Sequence, residues 1–233
     1  MSLIPAPIRR GFERLLNPLV ERLIAARVNP NSITTVGTAV LVGSGVAYGF
    51  GEVRIGAGLL LASGVCDMLD GRVARGGAGV TKFGAFYDST LDRVGESALF
   101  GGIALYFVLG GVPDRLVITA LVLSFVALAA GLIVSYARAR AEGLGLDCKV
   151  GMAQRAERIL GLGIPTLLFA AGPDGLLLFA IVGLLALAAV VTVVQRIHHV
   201  YRATRTGPAR QTQARQRSPE IGEYLSKGSG RDG

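Results

Sequence analysis

The sequence predicts an all-α integral membrane protein, six transmembrane helices preceded by a cytoplasmic juxtamembrane amphipathic helix. Three observations predict it. The chain of 233 residues is 51% hydrophobic, and its mean hydropathy of +0.52 lies above the range usual for soluble domains. Its apolar residues come in long runs, and a spanning helix needs only about 20 mostly apolar residues. Its basic residues are split among the gaps between those runs instead of gathering on one soluble module.

The elements follow in order. Residues 1–28 read as the amphipathic helix: Ile8, Phe12, Leu15, Leu16, Leu19, Leu23 and Ile24 keep helical spacing with arginines between them. Pro18 is expected to kink or divide it. Asn29-Pro30-Asn31-Ser32 then forms a turn, with Asn31 or Ser32 suited to cap the first span. The six spans fall at roughly 32–50, 54–75, 80–110, 115–140, 156–172 and 175–200. The second and third carry acidic residues near one end, and the fifth is short and holds Pro165. Short loops make residues 29–206 one six-helix transmembrane domain. Residues 207–233 are rich in Gln, Arg, Ser and Gly with almost no apolar side chains, so a disordered cytoplasmic tail is expected.

Charge sets the orientation. With these six spans, one side collects the basic residues before Val28, those around Arg72–Lys82, those from Arg138 to Arg158, and everything from Arg196 onward. The other side has only Arg54 and Arg115. The positive-inside rule therefore places both termini and the acidic cluster on the cytoplasmic side of the inner (plasma) membrane, in a multi-pass protein. The net charge of +8 is a topological signal and an attraction to anionic lipid headgroups. It excludes a nucleic-acid partner, which would need a basic soluble face. Cys66 and Cys148 are expected to stay reduced. Ile4-Pro5-Ala6-Pro7 interrupts any early apolar run, so no cleavable signal peptide is expected.

Four aspartates stand out against this apolar background. Asp67, Asp70, Asp88 and Asp92 lie in the pattern D-x-x-D-G-x-x-A-R, eight residues, then G-x-x-x-D-x-x-x-D. Carboxylates at membrane depth are costly and rarely persist without a partner or a task. Asp67, Asp70, Gly71, Ala74 and Arg75 share one helical stripe, while Gly84, Asp88 and Asp92 share a second. Facing stripes bring the four carboxylates together. Such oxygen donors suit hard divalent cations, and a charge of about −4 would be neutralised by two of them. No His or Cys set with zinc spacing competes. Paired ions are a recurrent device in phosphoryl chemistry. Gly71 and Gly84 leave room for a close ligand, and Arg75 can meet phosphate oxygens in a bidentate way. The bland alternatives are glycines used for close helix packing and aspartates that form an ion pathway, as in a divalent-cation transporter. Against the transporter, the far halves of the spans, such as Leu99–Leu109 and Leu116–Ala130, are almost wholly apolar.

The stretch Asp67-Met68-Leu69-Asp70-Gly71-Arg72-Val73-Ala74-Arg75 through Gly84, Asp88 and Asp92 resembles, without departure, the signature of the CDP-alcohol phosphotransferase (phosphatidyltransferase) family. The resemblance implies a metal-dependent transfer of a substituted phosphate from a CDP-linked alcohol to an acceptor hydroxyl, with release of CMP. It implies Asp67, Asp70 and Asp88 as metal ligands, with Asp92 a fourth metal residue that also serves as general base. It also implies Gly71, Ala74, Arg75 and Gly84 lining the CDP site. Asn31 and Thr34, in the P-N-x-x-T stretch, join them with less specificity. Two Mg²⁺ ions are the expected cofactor, with Mn²⁺ the alternative. A homodimer is implied as well, with the glycine-rich faces of the third and fourth spans as candidate surfaces.

A second basic group lies at Arg138 and Arg140, at Arg155 and Arg158, and at Arg196. Its bland reading is positive-inside bias, with Arg155 or Arg158 paired to Glu157 or Glu142. A soluble phosphorylated acceptor needs such a pocket. The stretches around Ser135–Glu142 and Arg155–Arg158 resemble the phosphatidylinositol phosphate synthase subgroup, apart from Arg138, Gln154 and Ala156. This implies CDP-diacylglycerol as donor and 1D-myo-inositol 3-phosphate as acceptor, with Arg138, Arg155 and Arg196 on the acceptor phosphate. Glycerol 3-phosphate, giving phosphatidylglycerophosphate, is the alternative acceptor.

Overall fold

The computed structural model describes residues 6–77, 79–148, 150–151 and 155–216, with side chains described from Leu16 to Arg205 except that of Arg155. Every regular element among them is helical. Helix α1 spans Ala6–Ala25, α2 Pro30–Gly49, α3 Val53–Gly76 and α4 Lys82–Tyr106. After a widened turn at Phe107–Gly111 come α5, Asp114–Gly143, and α6, Arg155–Phe169. A single 3₁₀ turn at Pro173–Gly175 leads into α7, Leu176–Gln216. Helical backbone thus runs ten residues past the point where the tail was expected to begin, and residues 217–233 lie outside the described residues.

Among the described residues, four helical stretches are long and apolar enough to cross a membrane: Pro30–Gly49, Lys82–Gly111, Asp114–Gly143 and Pro173–Arg205. The other two expected spans exist as helices but differ in kind. Helix α3 carries Arg54, Asp67, Asp70, Arg72 and Arg75, and α6 has only 15 residues with three charges in its first turn. Helix α3 packs against α2 and α6, and α6 in turn against α7.

Residue pairs fix the helix directions. Thr34 meets Asp70 and Ser44 meets the Gly56 carbonyl, so α2 and α3 run antiparallel. Thr35 meets Tyr87, and Gly45 lies against Ala98, so α2 and α4 run parallel. In the same way α4 opposes α5 through Arg93 and Ser135, while α5 and α7 run together. One end of the bundle therefore collects the start of α2, the end of α3, the start of α4, the end of α5, the start of α6 and the distal part of α7. The chemistry-bearing residues sit there. The opposite end holds only the turns at 50–52, 107–113 and 170–175.

The α2–α4 contact is unusually close because glycine makes it so. A Cβ on Gly45 would lie 2.2 Å from the Ala98 carbonyl oxygen, and one on Gly102 would lie 1.8 Å from that of Gly45. Small residues let helix backbones approach in this way within membranes. Below the contact, Tyr48, Leu60, Ile103, Phe107, Leu162 and Leu178 form the main buried core. Two internal polar pairs are satisfied inside it: Ser44 Oγ donates to the Gly56 carbonyl at 2.6 Å, and the Tyr48 and Thr166 hydroxyls are 2.7 Å apart. Apolar side chains such as Ile118, Phe125, Leu184 and Val194 point outward instead, as a lipid-facing surface requires.

Helix α1 is continuous through Pro18, neither divided nor replaced by a loop. Its Leu16 and Val20 are buried against Leu69 and Val73 of α3. Arg72 donates to Asn17 Oδ1 across the same contact. The cap of α2 falls on Asn29, whose Oδ1 accepts from the Asn31 amide at 3.0 Å, instead of on Asn31 or Ser32. Proline explains the shift: Pro30 occupies the first helical position, where its missing N–H costs nothing, so the residue before it becomes the cap.

Candidate active site

Asp67 and Asp70 project from the last three turns of α3, and Asp88 from the second turn of α4. One ligand oxygen from each carboxylate lies within 4.8 Å of the others. Asp70 is buried, and Asp67 and Asp88 are half-buried. Three anionic groups this close repel one another in a partly desolvated setting, and a bound cation or a shared proton would offset the charge. The donors are all hard carboxylate oxygens, and among the described residues no His or Cys joins the group. That set fits a hard divalent cation held by Asp67, Asp70 and Asp88.

The surrounding residues hold the acidic group in place. Thr34 Oγ1 donates to Asp70 Oδ2 at 2.7 Å, with both residues buried. Thr81 caps α4 by accepting from the Gly84 amide at 2.9 Å. A Cβ on Gly84 would lie 3.0 Å from Thr81 Oγ1 and 3.3 Å from Asn31 Oδ1, so the starts of α2 and α4 meet there. Arg75 folds back over Gly71, where an added Cβ would stand 3.3 Å from Nη1. Thr34 thus touches the three-carboxylate group directly, Asn31 and Gly84 meet at the starts of α2 and α4, and Gly71, Ala74 and Arg75 lie on the same stripe of α3 as Asp67.

Asp92 stands one turn beyond Asp88 and outside the three-carboxylate group. Its Oδ2 lies 3.7 Å from Nη2 of Arg93. The two facing stripes thus bring three of the four aspartates into ligand range of one another and leave the fourth beside a guanidinium.

The basic group is built differently. Arg196 of α7 is buried, donating from Nε to the Val150 carbonyl at 3.0 Å and from Nη1 to the Val134 carbonyl. It ties the α5–α6 connection and the end of α5 to α7. Asp147 extends the tie through its carbonyl, 3.0 Å from His199 Nε2. Arg138 is half-exposed and pairs with Glu142 at 2.8 Å, one turn along α5. Arg138 and Arg158 both act electrostatically on Arg196, which sets the three in one neighbourhood. Arg155 begins α6, and its side chain lies outside the described residues. Arg158 reaches beyond the nearby Glu157 and Glu142: its Nη2 meets Glu96 Oε1 at 2.7 Å.

Glu96 is the residue that sequence reasoning passed over. It is buried, and its second oxygen lies 2.9 Å from Arg93 Nη1. That contact is an ion pair by distance without the alignment of a hydrogen bond. A signal was present, because Asp88, Asp92 and Glu96 continue one stripe at successive turns. The expected reduced state of both cysteines agrees with the structure, where Cys66 and Cys148 are free.

The comparisons with known proteins bear directly on this geometry. The family model described as CDP-alcohol phosphatidyltransferase matches residues 27–201, which hold all the residues just described. The chain is 35% identical over 206 residues to a phosphatidylinositol phosphate synthase of Mycobacterium marinum, covering 86% of each. Its fold is similar to that of Mycobacterium tuberculosis phosphatidylinositol phosphate synthase with CDP-DAG bound. There the TM-score is 0.70 and the identity 30%, over 81% of this chain and 94% of that one. A structure of the same mycobacterial enzyme in complex with manganese and citrate matches with a TM-score of 0.69 at 31% identity, over 79% of this chain and 88% of that one. With the match running through both acidic helices and most of the bundle, the chain belongs to the CDP-alcohol phosphatidyltransferase family.

Proposed function

We propose that this protein transfers the phosphatidyl group of CDP-diacylglycerol to a hydroxyl of 1D-myo-inositol 3-phosphate, giving phosphatidylinositol phosphate and CMP. The observation that carries the reading is the convergence of Asp67, Asp70 and Asp88 at one end of an apolar bundle, in a chain whose relatives are named for this product. An ion pathway would be expected to continue through the bundle, but the carboxylates gather at one end and the core beyond them is apolar.

In this reading Asp67, Asp70 and Asp88 hold two Mg²⁺ ions, or Mn²⁺ in their place. When bound, the metal supplies positive charge to the pyrophosphate and to the departing CMP. Thr34 fixes the orientation of Asp70 through its hydroxyl. Asn31, Gly71, Ala74, Arg75 and Gly84 line the CDP site, with Arg75 offering paired donors to phosphate oxygens. Asp92 takes the proton from the acceptor hydroxyl as it attacks, since an alcohol is a poor nucleophile at neutral pH. Arg93 limits where the Asp92 carboxylate can turn. Arg138, Arg155 and Arg196 receive the acceptor phosphate, and the two backbone carbonyls that hold Arg196 make it a fixed cation instead of a mobile one. Donor and acceptor meet in one cleft, so a single in-line displacement suffices without a phosphoenzyme.

The membrane setting completes the proposal. All six helices α2–α7 traverse the bilayer, α1 lies along the cytoplasmic face, and the acidic end faces the cytoplasm. The enzyme is a homodimer in the inner (plasma) membrane, with both termini on the cytoplasmic side.

Detergent-solubilised protein with Mg²⁺ and CDP-diacylglycerol tests the acceptor through CMP release. Inositol 3-phosphate is expected to support release at a kcat/KM at least about tenfold above that of glycerol 3-phosphate. Preference for glycerol 3-phosphate would replace the acceptor, and silence with both would overturn the transfer reaction.

A further inference from the structure

The buried ion group at Glu96 spans three helices. Glu96 and Arg93 come from α4, Ser135 and Gly131 from α5, and Arg158 from α6. Glycine at 131 of α5 gives the Arg158 guanidinium room beside Glu96: a Cβ there would lie 2.6 Å from Arg158 Nη1 and 4.0 Å from Glu96 Oε2. Arg93 is held from both sides, donating to Ser135 Oγ at 2.5 Å while it pairs with Glu96. One carboxylate therefore binds two guanidiniums from different helices, within a site that excludes most water. Buried charges are retained where they pair well and fix one arrangement.

The position of this group matters. On α4, Glu96 lies one turn from Asp92 and two from Asp88. On α6, Arg158 lies one turn from Arg155. We propose that Glu96 is a positioning residue that sets the acceptor side of the site against the metal side: it anchors the first turn of α6, through Arg158, to the helix that carries Asp88 and Asp92. The inference rests on the proposed reaction and on the assignment of Arg155 to the acceptor phosphate. Glu96 itself touches no substrate in this account. The donor site is built from α2, α3 and the start of α4, and the Glu96 contacts leave that part alone. Loss of Glu96 should therefore weaken the acceptor selectively, because misplacing a binding group by a fraction of an ångström is felt by the ligand it orients.

The test is steady-state CMP release by full-length protein in detergent, with inositol 3-phosphate and CDP-diacylglycerol varied separately. Glu96→Gln keeps size and removes charge, and should raise the inositol 3-phosphate KM about tenfold or more while the CDP-diacylglycerol KM stays within about twofold. Glu96→Asp keeps the charge at shorter reach and should recover part of the acceptor affinity. Should Glu96→Gln fail to fold, Arg158→Lys keeps a cation but loses the fork, and should show the same one-sided rise in acceptor KM. Equal rises in both KM values would mean general loosening of the bundle, and a fall in kcat with both unchanged would mean that Glu96 acts through Arg93 on Asp92 instead; either overturns the inference. So would wild-type kinetics in Glu96→Gln. Wild-type protein that releases no CMP with inositol 3-phosphate would instead remove the proposed reaction, which separates the two failures.

Discussion

Thr34 Oγ1 donates to Asp70 Oδ2 at 2.7 Å, joining the first turns of α2 to the acidic end of α3 through a buried contact. The threonine turns a flexible carboxylate into an oriented one, and it links the start of α2 directly to the three-carboxylate group. Partners of this kind tune ligands that they do not replace.

Replacing Thr34 with valine keeps the shape and removes the hydroxyl. The metal concentration for half-maximal CMP release should rise roughly 10–100-fold, and Thr34→Ser should recover most of the loss. An unchanged metal requirement in Thr34→Val would show that Asp70 is oriented by something else.

Asp92 lies outside the three-carboxylate group and beside Arg93. As the acceptor's base, its replacement by asparagine should lower kcat by about 10²–10⁴ and leave CDP-diacylglycerol binding near that of the wild type. Equilibrium binding of labelled CDP-diacylglycerol, measured beside turnover, separates the two roles. Lost binding would make Asp92 chiefly a metal ligand.

Removing divalent metal with a chelator should abolish activity, and Mg²⁺ or Mn²⁺ should restore it. Asp67→Asn should demand more metal than the wild type, since three facing carboxylates share the ion's charge. Full turnover in excess chelator would contradict the site.

The contact of α2 with α4 depends on glycine. Gly45→Ala places a methyl where the Ala98 carbonyl stands and should cost about 1–3 kcal/mol, read as a lower thermal unfolding midpoint in detergent. Gly58→Ala, where a Cβ meets nothing within 4 Å, should be neutral or slightly stabilising. Equal effects of the two would mean that the helices separate without strain.

Much of this was legible in the sequence because it depends on short-range spacing. Asp67, Asp70, Gly71 and Arg75 share a stripe by helical period alone, and the hydrophobic runs located all six long helices to within a few residues at most ends. What stayed hidden depends on contacts between distant parts of the chain. The bland reading offered Arg158 the nearby Glu157 or Glu142, but Glu96, which it meets, is 62 positions away. No periodicity on α6 reports what α4 presents. Arg196 looked like a free cation for the acceptor, and its two backbone carbonyl partners come from α5 and the connection that follows it. Asp92 continued the acidic stripe, yet the facing carboxylates on α3 end at Asp70 and Asp67. Stripe membership could not say which turn of α4 they oppose.

The most direct test of the central claim follows the acceptor itself. Labelled inositol 3-phosphate is incubated with the purified protein, Mg²⁺ and CDP-diacylglycerol, then partitioned between water and organic solvent. The label is expected in the lipid phase in equimolar ratio to released CMP, and to remain in water with Asp67→Asn at the same metal concentration. Label that stays wholly aqueous with the wild-type protein, while CMP is or is not released, would contradict phosphatidyl transfer to inositol phosphate.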